Sequence, residues 1–82
     1  MGTYVGIDVS KDRLDVHVLP QGEAFFVERN GKGLAVLVER LKSFAPSLVA
    51  VEATGGFEST TAAAVAGAGL PLAVINPARG CQ

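Results

Sequence analysis

The stretch YVGIDVSKDRLDVHV, residues 4–18, decides the fold. Tyr4 to Val9 is an apolar run interrupted only by Gly6 and Asp8, and the polar cluster Ser10, Lys11, Asp12 behind it reads as a turn. Leu14, Val16 and Val18 then alternate with Asp15 and His17, the period of two that marks a half-buried strand. Pro20, Gln21 and Gly22 make a second turn, and Ala24 to Arg29, with Phe25, Phe26 and Val27, forms a third strand. Three strands joined by short turns make an antiparallel meander. Phe25 and Phe26, adjacent on a strand, point to opposite faces, so at least one is expected to reach a helix or a partner.

Beyond Asn30 and Gly31 the period changes. Leu34, Leu37, Val38, Leu41 and Phe44 recur at steps of three and four and define one face of a helix, with Glu39, Arg40 and Lys42 mostly outside it and Pro46 ending it. Leu48 to Val51 is a short apolar run of the kind a buried parallel strand takes. Thr54, Gly55 and Gly56 read as a loop, Phe57 to Ala66 as an alanine-rich second helix stopped near Gly67 and Gly69, and Leu70 to Ile75 as a fifth strand closed by Asn76 and Pro77. The order is βββαβαβ, an α/β arrangement. Right-handed crossovers through the two helices place the fourth and fifth strands parallel to the first, so the spacing predicts a five-stranded mixed sheet of order 3-2-1-4-5. Its winding reverses between strands 1 and 4, and open α/β sheets place ligand sites at strand carboxyl ends beside such a reversal. Asp8 lies near the end of strand 1 and Glu52 at the end of strand 4.

Two carboxylates converging there suit a hard divalent cation, because Mg²⁺ takes oxygen ligands and keeps several waters. Such an ion activates water or a hydroxyl and stabilises the charge of a phosphodiester transition state. The plainer alternative makes Asp8 a cap for the turn after strand 1 and Glu52 a solvated strand-end charge.

Three blocks, YVGIDVSK (4–11), VEATGGFE (51–58) and AGLPLAVINP (68–77), closely resemble the opening of the DEDD transposases of the insertion-sequence 110 family, the bridge-RNA-guided recombinases. The resemblance runs from Tyr4 to about Arg79. It implies a RuvC-like catalytic domain of ribonuclease H-like fold that uses Mg²⁺ or Mn²⁺ and four acids in DNA strand exchange. Asp8 matches the first acid of that set and Glu52 the second, each implied to be a catalytic residue and a metal ligand. In the family the third and fourth acids follow the Asn-Pro block as two aspartates three residues apart, a spacing that puts both on one helix face. The sequence ends before them, and before the family's second domain with its serine nucleophile. Residues 1–82 are therefore expected to be a partial N-terminal domain, truncated or frameshifted, that binds metal weakly and does not cut DNA alone. The resemblance implies DNA and a guide RNA as partners of the longer protein, and a second copy of the chain is a further candidate partner.

With 49% apolar and 18% charged residues, the composition is that of a compact domain with a thin core. Seven basic residues balanced by eight acids leave no basic stripe to grip phosphates. No signal-peptide pattern or membrane-length apolar run is present, and Gly6 stands where an N-myristoylation signal needs Ser or Thr. The lone Cys81 has no disulfide partner, in keeping with a cytoplasmic chain.

Lesser candidates have double readings. Thr54, Gly55 and Gly56 ahead of a helix fit either a backbone approach to phosphate or an ordinary loop with Thr54 as N-cap. Lys11 and Arg13 are candidate contacts for a nucleic-acid backbone near the metal, against a background of surface cations with no such role. Glu58 is explained by the helix dipole, His17 by a structural or solvent-facing role, and Tyr4 and Phe57 by packing. Two other classes of function compete with the recombinase reading. One is a catalytically silent binding or assembly module, a remnant that pairs with full-length transposase or RNA. The other, ranked last, is half of an actin-like or sugar-kinase ATPase, whose opening can look like Gly6-Ile-Asp-Val-Ser10 but whose phosphate loop is richer in glycine.

Overall fold

Side chains of the first two strands alternate between buried and more exposed positions along their whole length. In a computed structural model, which describes residues 2–53 and 58–75, β1 (Tyr4–Val9), β2 (Arg13–Leu19) and β3 (Glu23–Glu28) are followed by α1 (Gly31–Phe44), β4 (Leu48–Ala53), α2 (Glu58–Gly67) and β5 (Leu72–Ile75). The sheet order is β3-β2-β1-β4-β5. β2 pairs antiparallel with both β1 and β3, whereas β4 runs parallel to β1 and β5. This is the mixed sheet that the sequence predicts.

Because successive side chains point to opposite faces, one face collects Val5, Ile7 and Val9, then Leu14, Val16 and Val18, then Val27, Val49 and Val51, all buried. Leu37 and Leu41 of α1 and Val65 of α2 close over it, with Phe25, Leu34, Phe44, Leu70 and Leu72 at the margin. Burial of each such aliphatic side chain contributes about 1.5–3 kcal/mol. Thr61, one turn before Val65, is also fully buried, and its hydroxyl has no partner among the described residues. The opposite face carries Tyr4, Gly6 and Asp8, then Asp15, His17 and Leu19, then Phe26, Ala50 and Glu52. No described helix covers it, and Tyr4, Leu19 and Phe26 are more than half exposed.

Local chemistry sets the helix ends. Asn30 caps α1: its side-chain oxygen accepts from the Gly33 amide at 2.7 Å, satisfying one orphan donor of the first turn. The helix stops at Phe44, before Pro46, because Ala45 adopts a left-handed conformation at φ 49°. After α2 the amides of Gly69 and Leu70 donate to Ala66 and Val65, with Gly69 at φ 78°, the hydrogen-bond pattern of a Schellman ending.

Several boundaries differ from the sequence reading. β5 begins at Leu72 rather than Leu70, because Leu70 completes the helix ending and Pro71 has no N–H for a ladder. β4 continues past Val51 to Ala53, and β3 is shifted one residue toward the N-terminus. The start proposed for α2 at Phe57 and the closing Asn76 and Pro77 lie outside the described residues, as do Thr54, Gly55, Gly56 and Cys81. Among the described residues no helix is long and apolar enough to cross a membrane.

Two substitutions probe this account. Gly33 is buried, and a β-carbon there would run into the backbone carbonyl of Glu28. Gly33→Ala is expected to cost about 1–3 kcal/mol, the usual penalty of overpacking. Ala45→Gly, which relieves a left-handed alanine, is expected to add about 1 kcal/mol. Urea unfolding of the two variants checks both signs.

Candidate functional site

The site begins with the position of β1, which is hydrogen-bonded along both edges. Its parallel register with β4 sets Asp8 opposite Glu52 and Gly6 opposite Ala50. Its antiparallel register with β2 sets Asp8 opposite Asp15 and Gly6 opposite His17. Residues opposite each other share a face, so Asp15, Asp8 and Glu52 form one rung of three carboxylates on the bare side of the sheet. Neighbouring strands are about 4.8 Å apart, which brings Asp8 and Glu52 within reach of a single small ion or its bound water.

Asp8 and Glu52 are exposed, and neither engages a hydrogen-bond or ion-pair partner among the described residues. The turn after β1 is capped by Ser10, whose hydroxyl and amide both donate to the Arg13 carbonyl, at 2.8 and 3.0 Å. Asp8 therefore does not serve as the turn cap. Asp15 is partly buried and pairs with Arg13 through Nε at 3.4 Å.

Among the described residues, the surface beside this rung is open at Gly6. A β-carbon added at Gly6, one rung away, would meet nothing within 4 Å, and its neighbours across the sheet include Ala50. Two carboxylates with room for water are the donor set a hydrated Mg²⁺ accepts. No group of three or more His, Cys, Asp or Glu among the described residues is placed to share an ion, so Asp15 does not complete a ligand set. The residues fit a water-rich, loosely held cation.

Asp15 is the neighbour that sequence reasoning missed. A signal existed: Asp8 and Asp15 are equidistant from the centre of the Ser10–Arg13 turn, and a tight hairpin pairs residues so placed. Lys11 lies in that turn, exposed, and its carbonyl accepts from Arg29 Nε at 2.7 Å. Arg13, the first residue of β2, leans over the Phe26 ring at 5.1 Å from its centroid. His17 is exposed on the bare face. Thr54, Gly55 and Gly56, the candidate phosphate loop, are outside the described residues.

A five-stranded mixed sheet of order 3-2-1-4-5 with paired carboxylates on its two central parallel strands defines a RuvC-like, ribonuclease H-like domain. The chain belongs to the DEDD transposase family of insertion sequence 110, whose model, described as a transposase, matches residues 5–79. Among solved structures it is similar to RuvC of Thermus thermophilus, with 22% identity and a TM-score of 0.66 over 92% of this chain and 62% of that one. It is also similar to T. thermophilus RuvC in complex with Holliday junction substrate, with 20% identity and a TM-score of 0.69 over 96% of this chain and 67% of that one. The chain thus spans about three fifths of the length of the first of these structures. No curated protein matches it.

Three carboxylates on one rung repel one another, and like charges directly opposite on a sheet cost about 0.2–1 kcal/mol per pair. Asp8 belongs to two such pairs, so Asp8→Asn is expected to stabilise the chain by up to about twice that amount in EDTA. Added Mg²⁺ should stabilise the wild type, as a ligand selective for the folded state does, and leave the variant unchanged. Urea unfolding with and without the metal checks both halves; destabilisation of Asp8→Asn in EDTA would contradict the repulsive rung.

Proposed function

We propose that this chain supplies the first two carboxylates of a divalent-metal centre for DNA strand exchange, with Asp8 and Glu52 as the ligands and catalytic residues. The observation that carries this reading is their placement opposite each other in parallel register on the open face, without a competing partner among the described residues. Membership of a transposase family supports this reaction class. A bound Mg²⁺ or Mn²⁺ would supply charge stabilisation to a phosphodiester under attack and activate the attacking oxygen. Asp8 and Glu52 present hard oxygen donors toward solvent. Gly6 and Ala50 keep the surface beside them low, so a backbone can approach.

DNA is the substrate proposed for the longer protein, with a guide RNA and a second copy of the chain as its partners and the DNA-containing cytoplasm as its location. The matching RuvC structure with a Holliday junction is consistent with a DNA partner. The family match runs against the ATPase alternative. The silent-module alternative makes a different prediction from the metal reading: Asp8 and Glu52 would then be replaceable without effect on metal response.

The chain alone is expected to leave DNA intact. A two-metal phosphoryl-transfer site holds its ions roughly 3.5–4 Å apart, and two carboxylates leave at least one ion under-ligated. A net charge of −1 also gives little affinity for a polyanion. Incubation of the purified chain with supercoiled plasmid and Mg²⁺ or Mn²⁺, beside Asp8→Asn, tests this. Nicking that disappears in Asp8→Asn would show an enzyme complete in these residues and overturn the expectation.

A further inference from the structure

Phe25 and Phe26 are neighbours with opposite fates. Phe25 turns to the helix face, where it packs against the core with the Arg40 guanidinium 4.0 Å over its ring and Arg40 paired to Glu23 at 3.2 Å. Phe26 turns to the bare face and is 59% exposed. Its companion is Arg13, 5.1 Å over the ring centroid. The first aromatic is consumed by packing and the second is left in solvent.

Register places this second aromatic on the carboxylate rung. Phe26 is opposite Asp15, Asp15 is opposite Asp8, and Asp8 is opposite Glu52. With strands about 4.8 Å apart, Phe26 stands about 10 Å from Asp8 across the sheet. Phosphates recur about every 3.4 Å of helix axis along a DNA strand, so a few nucleotides span that gap.

Arg13 is available for more than the ring. Asp15 engages its Nε alone, at 3.4 Å, through an exposed pair of the kind that contributes little to stability. Among the described residues the two Nη groups of Arg13 have no hydrogen-bond partner, which leaves their N–H donors in the planar fork that suits phosphate. Glu28 lies across from Arg13 in register, but its carboxylate accepts from Asn30 Nδ2 at 3.1 Å. An exposed ring with a guanidinium beside it is the combination by which proteins hold unpaired nucleotides, the base stacking on the ring and the cation meeting the backbone.

We propose that Phe26 and Arg13 form a nucleotide platform: the ring stacks on an unpaired base of a DNA strand and the Arg13 guanidinium donates to an adjacent phosphate, laying the strand across β2 toward Asp8 and Glu52. The proposal rests on the strand-exchange reading of the carboxylate pair, and its test separates the two.

Binding of a fluorescent oligothymidylate at low salt is measured by anisotropy for the full chain, Phe26→Leu and Arg13→Gln. Each is also measured in an Asp8→Asn/Glu52→Gln background, where the carboxylates neither recruit a cation nor repel the strand. Phe26→Leu, which keeps an apolar cover and removes the stacking face, is expected to weaken single-strand binding at least about fivefold and leave duplex binding unchanged. Arg13→Gln is expected to flatten the dependence of log affinity on log salt by about 0.7, one single-strand phosphate contact. Thermal unfolding of each variant separates these losses from a folding defect. The platform is overturned if the oligonucleotide does not bind, if both variants bind as the wild type does in both backgrounds, or if Phe26→Leu dissociates a dimer without touching DNA affinity. Losses in the Asp8→Asn/Glu52→Gln background, with a wild type indifferent to Mg²⁺, would uphold the platform and remove the metal reading instead.

Discussion

β1 is the strand on which the molecule depends, because it is paired along both edges and in two different senses. Its antiparallel edge fixes the meander and its parallel edge fixes the crossover through α1. The residues at its even and odd positions inherit separate tasks. Val5, Ile7 and Val9 enter the core beneath the helices, while Gly6 and Asp8 stand on the side that no described helix covers. A slip of one residue in the β1–β4 register would exchange those tasks, burying Asp8 and exposing Ile7. The core and the carboxylate rung are thus two faces of one register.

That arrangement sets apolar burial against charge repulsion. The helix face gains from a closely packed set of valines and leucines, whereas one rung of the open face gathers three carboxylates of which, among the described residues, only Asp15 has a cationic partner. A sheet selected for stability alone would not put Asp8 beside both Asp15 and Glu52. Local conflicts of this kind are expected where a site has been built at some expense of stability. Separation of the conflict from the core explains how a domain this small carries it. The repulsion is confined to solvent, where it is weakest.

Much of this was legible in the amino-acid sequence. Alternation in Leu14 to Val18 and the three-and-four spacing from Leu34 to Phe44 give element types directly, and right-handed crossovers then leave one sheet order. Asp8 and Glu52 were legible because each falls near the end of an apolar run and within a block that resembles a known family. Details that depend on tertiary contact were not. Nothing local to Gly33 signals that it abuts the Glu28 carbonyl, and alanine at position 45 gives no hint of a left-handed backbone. The rung from Phe26 through Asp15 to Glu52 joins four strands, so it appears only when three registers are known together.

The proposed function requires that a divalent cation gather on the open face at Asp8 and Glu52. Paramagnetic broadening of backbone amide signals on titration with Mn²⁺ tests it most directly, because the ion relaxes nearby nuclei steeply with distance and needs no DNA or turnover. The account predicts that the amides of Asp8 and Glu52 and their cross-strand neighbour Asp15 broaden first, and that Asp8→Asn/Glu52→Gln abolishes this preference. Broadening that begins elsewhere on the surface, or that persists unchanged in the double variant, would contradict it.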